Sequence, residues 1–70
     1  MIIKKGDIVK IKNMPMSLHN DRVKGKIGIV IDNGNLAHQY RLRQFAVSIP
    51  SYNKVLYIIP MYMEKINEDG

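Results

Sequence analysis

The sequence predicts an all-β fold: one small, strongly bent, five-stranded barrel with a long first loop and a short 3₁₀ turn before the last strand. Three observations predict it. Five short segments show period-2 alternation or unbroken apolar, β-branched character, and turn residues separate them. Eleven isoleucines supply apolar surface in a form that suits pleated sheets better than helices. Gly28 sits inside the second alternating segment, an unfavourable place unless the backbone bends or a neighbouring element comes close. Closing the sheet into a barrel would remove the edges that invite aggregation.

The elements follow in order. Gly6-Asp7 reads as a turn, and Ile8 to Lys12 as the first strand, with Val9 and Ile11 on one face and Ile8, Lys10 and Lys12 on the other. Residues 13–25 read as a loop, broken by Asn13, Pro15, Ser17, Asn20, Asp21 and Gly25. Met14, Met16 and Leu18 give that loop enough apolar content to fold back over the barrel. Lys26 to Asp32 is the second strand, where Ile27, Ile29 and Ile31 alternate with Gly28 and Val30. Asn33-Gly34 predicts a tight turn, because both residues tolerate positive φ. Residues 36–43 read two ways. Leu36 and Tyr40 have helical spacing, while alternation favours a third strand over Tyr40 to Ile49. Pro50 ends that strand and Ser51-Tyr52-Asn53 turns the chain. Lys54 to Ile59 is almost wholly apolar, which predicts a fourth strand that is central or buried on both faces. Pro60-Met61-Tyr62 fits a 3₁₀ turn, and Met63 to Ile66 a short closing strand. The domain is therefore expected over residues 1–66, with 67–70 an acidic, fraying tail.

Composition bounds the function. Seventy residues make one domain, which buries only about 60% of its unfolded surface. There is no cysteine, so no disulfide or thiolate metal site is available, and a cytoplasmic location is expected. The longest uncharged apolar stretch, Val55 to Met63, is far short of the roughly 20 residues a membrane-spanning helix needs. The richness in Ile, Lys and Asn fits an AT-rich genome, viral or bacterial. Residues 1–63 carry ten Lys and Arg against three Asp, within a net charge of +5. A basic body of this kind points to polyanions or acidic proteins.

Catalysis is not expected. His19 and His38 are the only histidines, and no carboxylate pair, nucleophile motif or phosphate loop accompanies them. His19, Asp21 and His38 make a poor metal set, so neither metal nor cofactor is expected. The expected site is instead a cationic patch of Lys10, Lys12, Arg22, Lys24, Lys26, Arg41, Arg43 and Lys54, centred on the first loop and second strand. Such a patch would hold the phosphates of RNA or DNA, or alternatively an acidic protein. Tyr40 and Tyr52 are candidates for stacking on bases. Met14, Met16, Met61 and Met63 would close the barrel ends, or, if exposed together, form a protein-docking or homo-oligomer contact.

Two local signatures carry a family resemblance. Lys5-Gly6-Asp7-Ile8-Val9-Lys10-Ile11 resembles the G-D-x-V-x-V opening of SH3-like barrels of the KOW type. Lys24-Gly25-Lys26-Ile27-Gly28-Ile29-Val30 is similar to the K-G-K-x-G-x-V core of that motif, with Gly28 at its inner glycine. Tyr57 to Ile66 looks like the fourth strand, 3₁₀ turn and fifth strand of SH3-like barrels in general. The KOW resemblance implies RNA binding, as in ribosomal proteins and transcription elongation factors, or protein docking. The loop over 13–23 is longer than in ribosomal KOW proteins, and the Val-Glu-Gly-Val-Asn segment is absent. A loop of that length resembles the small basic SH3-like subunits that dock ferredoxin on photosynthetic complexes, which implies an acidic protein partner.

Overall fold

In the first strand, β1 (Ile8–Ile11), strict alternation divides the side chains: Val9 and Ile11 are buried, Ile8 and Lys10 exposed. A computed structural model describes residues 3–15, 17–37 and 42–66. The remaining strands are β2 (Ile27–Ala37), β3 (Leu42–Ile49), β4 (Lys54–Ile58) and β5 (Met63–Lys65). They form one antiparallel sheet in the order β4-β3-β2-β1-β5. The all-β class and five strands are as expected. The 3₁₀ turn also stands where expected, at Pro60–Tyr62, with the proline at its first position, where a missing N–H costs nothing. No helix among the described residues is long and apolar enough to cross a membrane.

The core is the inner face of this sheet. Val9 and Ile11 of β1, Val30 of β2, Phe45, Val47 and Ile49 of β3, Ile58 of β4 and Met63 of β5 are all buried there. Each such side chain contributes about 1.5–3 kcal/mol on leaving water. The first part of β2, residues 27–31, places its smaller residues inward. Gly28 and Val30 are buried, while Ile27, Ile29 and Ile31 are 41–44% exposed on the outer face. Space explains the glycine. A Cβ at residue 28 would lie 2.5 Å from Val47 Cγ1, 3.2 Å from the Ser48 carbonyl oxygen and 3.4 Å from Ile49 Cγ1. The β3 side chains fill the volume that any other residue at 28 would need.

A second anchor ties the chain before β1 to the sheet. Gly6 adopts φ +94°, a left-handed value open to glycine at little cost. The resulting turn lets the Gly6 amide donate to the Val30 carbonyl (2.8 Å) and the Val30 amide donate to the Asp7 carbonyl (2.9 Å). The Asp7 carboxylate is buried, accepts a bond from the Lys4 amide at 2.9 Å, and lies 3.6 Å from Lys65 Nζ of β5. A buried carboxylate is tolerated because it is both hydrogen-bonded and ion-paired.

The structure settles one open alternative, leaves the barrel unclosed and corrects three expectations. Among the described residues the sheet is not closed: β4 and β5 are its two edges and no pairing joins them, an arrangement compatible with an SH3-like fold. Asn33-Gly34 is not a hairpin turn. β2 runs through it to Ala37, and the register with β3 shifts between Val30 and Asp32 and again between Asp32 and Asn35. Each shift gives β2 one residue more than its partner, which is the geometry of a β-bulge, and residues that favour turns also suit bulges. Leu36 and Ala37 belong to β2, and Leu42 and Arg43 to β3, which removes the helical reading of 36–43. Tyr40 and Arg41 lie outside the described residues, as do His38, Met16 and the tail at 67–70. β4 is neither central nor buried on both faces; it is an edge whose Val55 and Tyr57 are exposed. The loop over 13–25 holds a helical turn, α1 (Asn20–Val23), which delivers Val23 to the core beside Met14, while Leu18 points to solvent.

Gly28→Ala should destabilise the protein by about 1–3 kcal/mol in urea denaturation, because valine is stiff at χ1 and Val47 has nowhere to go. Adding Val47→Ala to Gly28→Ala should cost less than the sum of the two single changes, since the second removes the clashing methyl. Additive losses would contradict the close approach.

Candidate polyanion interface at one end of the sheet

The long first loop is fixed by its own polar side chains. Asn20 Oδ1 accepts from the Met14 amide at 2.7 Å, and Asn20 Nδ2 donates to Asn13 Oδ1 at 2.9 Å. Ser17 Oγ accepts from the His19 amide at 3.1 Å, holding the entry to α1. These are the local side-chain-to-backbone bonds that make Asn and Ser frequent in turns. At the exit, the Lys24 amide donates to the Asn20 carbonyl (2.9 Å), and Gly25 takes φ +80°. The Gly25 amide then donates to the Ile11 carbonyl (2.8 Å), and the Ile11 amide donates to the Lys26 carbonyl (2.9 Å). So the Lys24-Gly25-Lys26 turn is hydrogen-bonded to the end of β1, next to Lys12, whose own amide donates to the Tyr62 carbonyl (2.8 Å).

A side-chain link joins the loop to the β3–β4 turn. The Tyr52 hydroxyl and His19 Nδ1 are 2.9 Å apart, with their rings edge to face at 5.7 Å. Lys54 Nζ stands 5.5 Å from the centre of the Tyr52 ring, within cation–π range. Tyr52 is half-buried against the core, so its ring is occupied by His19, Lys54 and apolar neighbours. Asn53 completes this turn with φ +59°, which asparagine accepts more readily than most residues.

These links decide which expected site residues come together. Lys12, Arg22, Lys24, Lys26 and Lys54 are all exposed and all stand at the end of the sheet where β1 finishes and β2 and β4 begin. Asp21 in α1 is the acidic residue among them. No ion pair engages any of the five among the described residues. Lys10 lies one register step further in, on the outer face, with Ile27 on one side and Glu64 on the other, so an opposite charge faces it. Arg43 does not join the group. Its backbone pairs with Leu36 at the far end of β3, six residues before Ile49 and so roughly 20 Å away. Arg41 and Tyr40 lie outside the described residues.

Beside the cations, a shallow groove of about 370 Å³ is lined by Gly25, Lys26, Ile27, Ile29, Pro50 and Ser51. Its walls are mostly apolar, and Lys26 is the charged residue that lines it. Among the described residues there is no cluster of three His, Cys, Asp or Glu that could hold a metal. Comparisons with family models, with curated proteins and with solved structures find no match for this chain. The contact between His19 and Tyr52 was not legible in the sequence. The two residues are 33 positions apart, and only the packing of the loop on the turn brings them together.

Asn20→Ala should cost about 1–2 kcal/mol, since it leaves the Met14 amide without its acceptor. Urea denaturation together with faster hydrogen exchange at the Met14 amide checks this. Unchanged exchange there would show that the asparagine does not hold the loop.

Proposed function

We propose that the chain is a non-catalytic SH3-like module of the KOW type that binds RNA or DNA through the cationic end of its sheet. The observation that carries this reading is the gathering of Lys12, Arg22, Lys24, Lys26 and Lys54 at one end, with Asp21 as the acid among them. Phosphate contacts need cations within reach rather than a fixed spacing, and a loop tied down at both ends presents them at low entropic cost. The resemblance of Lys24 to Val30 to the KOW core supports the same partner. Backbone contact of this kind is independent of base identity. A cysteine-free, basic chain suits the cytoplasm, and an AT-rich viral or bacterial source fits its residue usage.

Electrophoretic shift or fluorescence anisotropy with a generic RNA oligonucleotide tests the proposal. With four or five phosphates engaged, log K against log salt should fall with a slope of roughly −3 to −5. The Lys24→Glu/Lys26→Glu double variant should lose at least about tenfold in affinity at low salt, whereas Arg43→Glu, at the far end, should change it by less than about twofold. A flat salt response would falsify nucleic-acid binding, and attachment to an acidic protein with no RNA shift would establish the docking function in its place.

A further inference from the structure

We propose that the free edge of β4 is a self-association site, at which two copies of this chain pair antiparallel about a two-fold axis through Leu56. The two edges of the sheet are unlike. β5 is three residues long and two of them, Glu64 and Lys65, are charged, which is how proteins discourage edge pairing. β4 is less guarded. It is five residues long, contains no proline, and keeps an unbroken register with β3 from Ile49 opposite Lys54 to Phe45 opposite Ile58. Its one charge, Lys54, stands at its first position. Among the described residues nothing pairs with its outer side. An edge of this kind presents alternate N–H and C=O groups to any strand that fits.

The occupant follows from self-complementarity. Residues opposite each other in an antiparallel pair share a face, so a strand can pair with its own copy only about a residue. Pairing about Leu56 gives the fullest overlap. On the outer face it sets Val55, 46% exposed, against Tyr57 of the second copy, 65% exposed, and repeats that contact by symmetry. An aromatic against a β-branched residue is a favourable cross-strand pair. On the core face it sets half-buried Leu56 against its own counterpart, and Lys54 against Ile58. The two Lys54 ammonium groups then stand four residues apart, roughly 13 Å, beyond the screening length of about 10 Å at 0.1 M salt. Pairing about Val55 instead would bring them to roughly half that distance. Pairing of β4 with β5 of the next copy would be head to tail and open-ended, and it would set a five-residue strand against a three-residue, charged one. With five residues a side, far fewer than the roughly 20–30 of a standard interface, the dimer is weak and concentration-dependent.

Sedimentation velocity on the full chain, from about 10 µM to about 1 mM, tests this. The wild type should move from monomer toward dimer as concentration rises. Tyr57→Lys puts an ammonium opposite Val55 of the second copy and should stay monomeric throughout. Ile29→Lys lies on the same outer face away from β4 and should dimerise like the wild type. Circular dichroism should show both variants folded, because both residues are exposed. Leu56→Cys, in a chain without other cysteines, should cross-link to its counterpart under mild oxidation. The proposal is overturned if the wild type remains monomeric at about 1 mM. It is equally overturned if Tyr57→Lys dimerises unchanged, or if Leu56→Cys dimers fail to cross-link. A chain that stays monomeric but accepts an extended segment of another protein at β4 would also overturn it.

Discussion

The packing of β3 over Gly28 is the constraint on which the rest of the molecule depends. Val47 and Ile49 can sit directly on β2 only because residue 28 has no side chain. That contact sets how closely β2 and β3 lie, and so where both ends of their ladder fall. At one end the chain has just left the Lys24-Gly25-Lys26 turn, which is bonded to β1 through Ile11. The same end of β3 leads into Pro50 and the turn that carries Tyr52. The cations and the core are therefore coupled: the glycine that admits Val47 also brings the β3–β4 turn up to the first loop, where Tyr52 meets His19.

The placement of the isoleucines follows from the same contact. With a glycine and Val30 facing inward, β2 gives the core little volume, and β3 supplies it with Phe45, Val47 and Ile49. Ile27, Ile29 and Ile31 are left on the outer face. They continue there toward Ile8 and Ile66 on one side and, across Ser48, toward Val55 on the other. A chain of this length has few side chains to spare from its core. Asp7 offsets part of that loss: two hydrogen bonds with Lys4 close the turn, a third ties it to Val30 of β2, and an ion pair ties it to Lys65 of β5.

Much of the fold was legible in the sequence, for physical reasons that also explain the failures. Alternation put Val9 and Ile11 on one face, which is the buried one, and Pro60 marked the 3₁₀ turn, because both signals are local. The interior glycine announced a close approach, and one is found. Asn33-Gly34 misled because the preference for unusual backbone angles is shared by turns and bulges, and only strand pairing tells them apart. β4 misled because an apolar run was equated with burial on both faces. Its place at the edge depends on where β5 returns to the sheet, which is a long-range fact. For the candidate site, charge type and loop position named Arg22, Lys24 and Lys26, which the fold brings to one end of the sheet. Grouping Arg43 with them failed because strand direction sets which end of β3 a residue occupies.

The two proposed surfaces meet at Lys54, and salt acts on them with opposite signs. Lys54 belongs to the cationic end and also opens β4. Contacts between ammonium groups and phosphates weaken as counterions accumulate, so a polyanion held at the cationic end would be released as salt rises. Pairing of two copies brings together bodies of net charge +5, a repulsion that the same ions screen. Apolar contacts such as Val55 with Tyr57 carry no charge to screen. If both proposals hold, low ionic strength would favour the polyanion complex and high ionic strength the pair. A polyanion that neutralises Lys54 and its neighbours removes the same repulsion without added salt. A polyanion long enough to serve two copies would therefore favour the proposed pairing through the charge of the whole body rather than through Lys54 alone.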